Sequence, residues 1–215
     1  MNLDPHKEQD VLYAGAPIGM ARAGIILLHG RAGTAKGMLR LVPQLMVEDV
    51  CFVALQAEGN SWYPESFTSE LMNNEPWVSS SLLCIKRMLM QLSEAGIGPE
   101  RVMLFGFSQG ACLALEYLAR NPCRYGGLAA ISGSLMGKEV RSFGSSTALQ
   151  GTPILLGYGE QDKRVPAKRV VDTATVMHHL GARVDLRAYA EWGHSIHQNE
   201  LALAHEMLVR TATQT

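Results

Sequence analysis

Ser108 stands between two glycines in "GFSQG" (106–110), with an apolar run before it and a helix-like run after it. A serine hydroxyl is a poor nucleophile at neutral pH. It needs a base within hydrogen-bond reach to take its proton, and a third group to orient that base. On a strand–turn–helix elbow the partners follow in the order Ser, then Asp or Glu, then His. Asp162 in "GEQDKRVP" and His194 in "WGHSIH" meet that order. Glu160 and His197 are close enough in sequence to stand in for them. Asp172, His178 and His179 fall inside a helix pattern and Asp185 inside a strand, where surface or structural duty is commoner.

Acyl transfer also needs donors for the oxyanion of the tetrahedral intermediate. The N–H of Gln109, directly after the elbow serine, is one candidate. The other is the N–H of Arg31 in "LLHGRAG" (27–33), a turn that follows an early strand. His29 in the same turn reads as a packing residue rather than a second base.

These positions make sense only if particular elements carry them. Apolar runs at 23–30, 50–56, 101–107, 126–133 and 153–159 read as strands, and 182–190 reads as the last strand. Helical patterns at 34–46, from Ser79 to Gly96, at 109–120, 167–180 and 197–210 alternate with them. Strands that are apolar throughout and spaced by helices argue for a mostly parallel central sheet with helices on both faces. In such sheets ligands bind beyond the carboxyl ends of the strands. Ser108, Asp162 and His194 all fall just after strands, on that one edge.

The bulk properties narrow the function classes. At 215 residues the expectation is one domain, 1–215, with 47% apolar residues to fill its core. A net charge of −1 without a basic stripe argues against nucleic acid as a partner. The polar, acid-containing start lacks the basic and apolar regions of a signal peptide, and no apolar run approaches bilayer length. The expected location is therefore cytoplasmic, with no membrane span. Cys51, Cys84, Cys112 and Cys123 show no metal-ligand spacing and read as reduced, structural thiols. The sequence leaves oligomeric state open, a homodimer among the options.

Read together, "LLHGRAG", "GNSWYPESF", "GFSQGACLALEY", "YGGLAAISGSL", "GEQDKRVP" and "WGHSIH" resemble the phospholipase/carboxylesterase family of α/β-hydrolases, related to the acyl-protein thioesterases. The resemblance implies an α/β-hydrolase fold without a large cap domain. It also implies a Ser108-Asp162-His194 triad with Arg31 and Gln109 as the oxyanion hole, carboxylic ester, thioester or lysophospholipid substrates, no cofactor and no metal. Two residues depart from the family pattern. Ala32 stands where glycine is usual, which implies a stiffer oxyanion loop. Trp192 stands where smaller residues are common, which implies a narrower mouth.

The long 57–78 segment reads as a binding loop. Its aromatic content suggests an acyl groove walled by Trp62 and Trp192, with Met136 from the 134–150 loop. Two other readings remain at this stage. A dienelactone-type lactone hydrolase would generally carry cysteine where Ser108 stands. A noncatalytic binding protein on the same scaffold would not need the full set of catalytic parts.

Overall fold

The computed structural model describes residues 3–144 and 146–213. Seven strands form one sheet: β1 (Val11–Gly15), β2 (Ala23–Leu28), β3 (Val50–Leu55), β4 (Val102–Phe107), β5 (Gly127–Ile131), β6 (Pro153–Gly159) and β7 (Arg183–Tyr189). Their order is β1-β3-β2-β4-β5-β6-β7, and every pairing is parallel except β1 with β3. The helices are α1 (Ala35–Leu39), α2 (Val42–Leu45), α3 (Trp77–Glu94), α4 (Gln109–Arg120), α5 (Ala167–His179) and α6 (Gln198–Thr213).

Alternation along β2 shows why its sequence is apolar at every position. Ile26 and Leu28 enter one core with Ile85 of α3, Leu113 of α4 and Val170 of α5. Ile25 and Leu27 enter a second core with Met38 of α1, Val42 of α2 and Leu201 of α6. Each face is covered, so each side chain is buried, contributing roughly 1.5–3 kcal/mol. No helix among the described residues is long and apolar enough to cross a membrane.

The expected α/β architecture is present, with three differences. β1 was absent from the sequence reading. It is a partly exposed antiparallel edge strand, so "VLYAG" lacks the continuous apolar run that marked the others. The single helix expected over 34–46 is two. Thr34 caps α1 by accepting the Gly37 N–H, but Pro43 has no N–H to continue that helix and instead sits in the first turn of α2. α3 begins at Trp77, two residues before the expected start.

Candidate active site

The turn from β4 into α4 leaves almost no room for side chains. A Cβ on Gly106 would run into the backbone of Gly110 and Ala111. One on Gly110 would run into the carbonyls at the end of β2. Between them Ser108 adopts φ 54° and ψ −116°, a conformation L-residues avoid. It is held there because its N–H donates to the Ile131 carbonyl at 2.9 Å while its own carbonyl accepts the Cys112 N–H at 3.0 Å. The strain lifts the hydroxyl off the strand end.

His194 and Asp162 converge on that hydroxyl from the loops after β7 and β6. Nε2 of His194 lies 2.8 Å from Ser108 Oγ, and Nδ1 lies 2.6 Å from Asp162 Oδ2. A carboxylate only accepts, so Nδ1 carries the proton and Nε2 of the neutral ring accepts from the serine. The Asp162 side chain is fully enclosed and that of His194 nearly so. Oδ1 of Asp162 accepts the N–H groups of Arg164 at 2.7 Å and Val165 at 3.1 Å. Burial by itself raises the Asp162 carboxyl. The His194 bond and those two N–H groups outweigh it and hold the group below the ordinary aspartate value. A hydroxyl, an imidazole and a shielded carboxylate joined in this order can move one proton from oxygen to nitrogen and back.

The loop after β2 abuts the elbow. A Cβ on Gly30 would come within 3.3 Å of the Ser108 Cβ. Gln109 is the first residue of α4, so its N–H has no acceptor within the helix. Arg31 follows Gly30, and Ala32 is anchored by its N–H to the Asn60 carbonyl at 2.8 Å. Ala32 has φ 62°, a left-handed conformation glycine would adopt freely. His29 is buried, its Nδ1–H donating to the Gly30 carbonyl and its Nε2 accepting the Ala57 N–H.

A family model described as phospholipase/carboxylesterase matches residues 14–211. The chain belongs to that family. Among solved structures, a phospholipase/carboxylesterase from Dyadobacter fermentans superposes with a TM-score of 0.88 at 32% identity, covering 94% of this chain and 97% of that one. Acyl-protein thioesterase 1 of Saccharomyces cerevisiae is 31% identical over 176 residues, 72% of this chain and 77% of the yeast protein. A rice protein described as a probable inactive carboxylesterase is 27% identical over 144 residues, 66% of this chain and 59% of that protein.

In this family member a cavity of about 180 Å³ opens beside Ser108, with Arg31, Tyr63, Phe67, Cys112, Arg164 and Val165 in its lining. None of the three residues expected to wall an acyl groove is there, and each has a physical reason. Trp62 is fully buried in the hydrophobic core, where its indole N–H donates to the His29 carbonyl at 2.8 Å. Met136 is fully buried, in a loop pinned by Arg169 through the carbonyls of Leu135 and Gly137. Trp192 is partly exposed, its indole N–H donating to Ser195 and its ring set edge-on to His197 at 4.7 Å. Tyr63 and Phe67, one residue and five residues past Trp62, supply the aromatic wall instead.

Cys112 closes the inner side of the cavity. Burial pushes its thiol up to about 11, so it serves as apolar lining rather than as a thiolate. All four cysteines are free thiols.

The side chains of Arg31 and Gln109 have a duty beyond their peptide N–H groups. The Arg31 guanidinium donates to the carbonyls of Tyr63, Pro64 and Glu65 at 2.8–2.9 Å. The Gln109 amide donates to the Tyr63 carbonyl at 2.7 Å and accepts the Trp62 N–H at 2.8 Å. Both oxyanion candidates therefore grip the same carbonyl of the cavity loop. A lone cation in the otherwise apolar and glycine-rich "LLHGRAG" was the one available signal.

Proposed function

We propose that the chain hydrolyses carboxylic esters, thioesters included, by acyl transfer through Ser108. The relay Ser108 Oγ–His194 Nε2 at 2.8 Å and His194 Nδ1–Asp162 at 2.6 Å carries this reading. As Oγ attacks the acyl carbonyl, Nε2 takes its proton and the imidazolium forms against a carboxylate that stays ionised. The N–H groups of Arg31 and Gln109 receive the developing oxyanion. Collapse expels the alcohol or thiol, which leaves with the proton from Nε2. Water then enters, gives a proton to Nε2 and attacks the acyl-serine; collapse breaks the Oγ–acyl bond, Nε2 returns the proton to Oγ, and the acid is freed.

The D. fermentans and yeast relatives support the reading by family. The probable inactive rice relative means that membership alone does not decide catalysis, so the weight rests on the relay. The cavity is smaller than the roughly 300–1,000 Å³ of drug-sized ligand sites, which favours a short acyl group.

A fluorophosphonate probe tests the proposal. Wild type should gain one covalent adduct mapped to Ser108, and Ser108→Ala should gain none while losing turnover by several orders of magnitude. An unlabelled wild type, or a Ser108→Ala variant that keeps most of its esterase activity, would identify a noncatalytic or differently built protein. A series of p-nitrophenyl esters should give the highest kcat/KM at the short end.

A further inference from the structure

β7 ends the sheet, and β6 is its one strand partner among the described residues. The direction of its peptide groups follows from two bonds. The Arg183 N–H donates to the Thr152 carbonyl, and the Tyr189 carbonyl accepts the Glu160 N–H. Residues 183, 185, 187 and 189 thus turn their peptide groups toward β6. Val184, Leu186 and Ala188 turn theirs to the open edge.

An open edge invites another strand unless proline, a bulge, a covering segment or charge that the incoming strand cannot match blocks it. "RVDLRAY" has no proline or lysine, and its register with β6 runs unbroken from Arg183 to Tyr189. Five of its seven residues are exposed, Leu186 among them.

The charges on this strand are ordered in a way that selects a partner. In an antiparallel pairing of β7 with a second β7, a two-fold axis through Asp185 would oppose Asp185 to itself and Arg183 to Arg187. An axis through Arg187 would oppose Arg187 to itself. An axis through Leu186 opposes Asp185 to Arg187 twice and Arg183 to Tyr189 twice, with no like-charge pair. That axis also uses all seven residues and falls on an outward-facing peptide. Leu186 then meets Leu186, and Val184 meets Ala188, each as a hydrogen-bonded pair. Asp185 and Arg187 already bridge within the strand at 2.7 Å, both about half exposed, so the two copies would join two such bridges into one ring of alternating charge.

We propose that the chain forms a two-fold dimer through antiparallel pairing of β7 with β7 centred on Leu186, continuing the sheet across two copies. Six peptide hydrogen bonds would form, from Val184, Leu186 and Ala188 of each strand.

Sedimentation velocity on the wild-type chain over roughly 1–100 μM should show a species of twice the chain mass. Leu186→Pro removes an N–H that β6 does not use, so the variant should keep its fold and ester turnover and sediment as a monomer. Asp185→Arg places like charges opposite one another and should also be monomeric. The swap Asp185→Arg with Arg187→Asp keeps the pairing self-complementary and should restore the dimer. In hydrogen exchange the wild-type amides of Val184, Leu186 and Ala188 should be protected, and in Leu186→Pro those of Val184 and Ala188 should exchange freely. A wild type that stays monomeric to 100 μM, a dimer that survives both single variants, or a swap that fails to restore it would overturn the proposal.

Discussion

Asp162→Asn probes the orientation of the relay, and the surrounding bonds dictate what the replacement must do. Two backbone donors, the N–H groups of Arg164 and Val165, face Oδ1. The amide oxygen has to take that position, because an NH₂ there would meet two donors. The NH₂ then lies where Oδ2 was, 2.6 Å from His194 Nδ1. Two donors cannot share that contact, so the imidazole moves its proton to Nε2. There it faces Ser108 Oγ and can no longer take the serine proton.

Two losses follow. The imidazolium formed during attack loses a charge-assisted bond, about 1.5–3 kcal/mol. Recovering the working tautomer leaves a buried donor unpaired, about 1–3 kcal/mol more. Together they come to about 2.5–6 kcal/mol, a fall of roughly 10²–10⁴ in kcat at about 1.36 kcal/mol per decade. The wild-type carboxylate also stabilises the fold. Its folded pKa lies below the reference 3.8, so this contribution is present at neutral pH and is lost as pH falls through the folded pKa. The variant should therefore melt somewhat lower at pH 7 yet remain folded in the assay, since both backbone donors keep an acceptor. Steady-state hydrolysis of a p-nitrophenyl ester beside a thermal melt reads both quantities. A folded variant whose kcat stays within tenfold of wild type would refute the tautomer reasoning.

Three other replacements separate local roles. Ala32→Gly relieves a left-handed alanine, about 1–2 kcal/mol, against about 0.4–1 kcal/mol of added chain entropy when unfolded. It should raise Tm by a few degrees, and a lower Tm would show that φ 62° is not strained there. Arg31→Ala keeps the residue's peptide N–H but frees the carbonyls of Pro64 and Glu65 and leaves that of Tyr63 to Gln109. Losing about 1.4 kcal/mol of loop anchoring should raise KM about tenfold with kcat changed only a few-fold, and the reverse split would place the guanidinium in the chemical step. Burial pushes Glu200, enclosed at the start of α6, up to about 7 from 4.5, against the pull of the His197 N–H. A raised folded pKa means stability that is full below 4.5 and lost as pH rises through 7. Glu200→Gln should thus gain on wild type between pH 5 and 8, by up to about 3 kcal/mol in denaturant melts. A gap that does not widen with pH would remove Glu200 from the account.

What could be read in advance depended on whether a residue's duty was local. β2 to β6 were legible because strands covered on both faces are apolar throughout. β1 was not, since "VLYAG" is half exposed and takes its identity from pairing with β3. Ser108, Asp162 and His194 were legible because the ends of parallel strands point to one edge whatever else the chain does, and these three residues do meet. The cavity wall was not, because it depends on contacts between residues 30–80 positions apart. Trp62 looks like an ideal acyl contact in isolation, until its indole N–H is matched with the His29 carbonyl. With the tryptophan packed in the core and that bond satisfied, its neighbour Tyr63 lines the cavity instead.

The two parts of the site are held by different forces, and this bears on where substrate choice can change. The proton relay hangs on the ends of β4, β6 and β7, each locked by strand pairing. The 57–67 segment has no strand partner and hangs on isolated backbone bonds at Asn60 and Phe67 and on side-chain bonds. Arg31 and Gln109 grip the Tyr63 carbonyl from the catalytic side. His6 grips from the opposite side, its Nε2–H donating to the Trp62 carbonyl and its Nδ1 accepting the Glu58 N–H, each at 3.0 Å. Burial lowers the His6 pKa, which keeps the ring neutral and both bonds intact near neutral pH. A few side-chain hydrogen bonds, each worth about 0.5–1.5 kcal/mol, are far easier to alter than a parallel sheet. Substitutions in 63–67, or in the residues that grip it, should therefore move KM and acyl preference long before they move the relay.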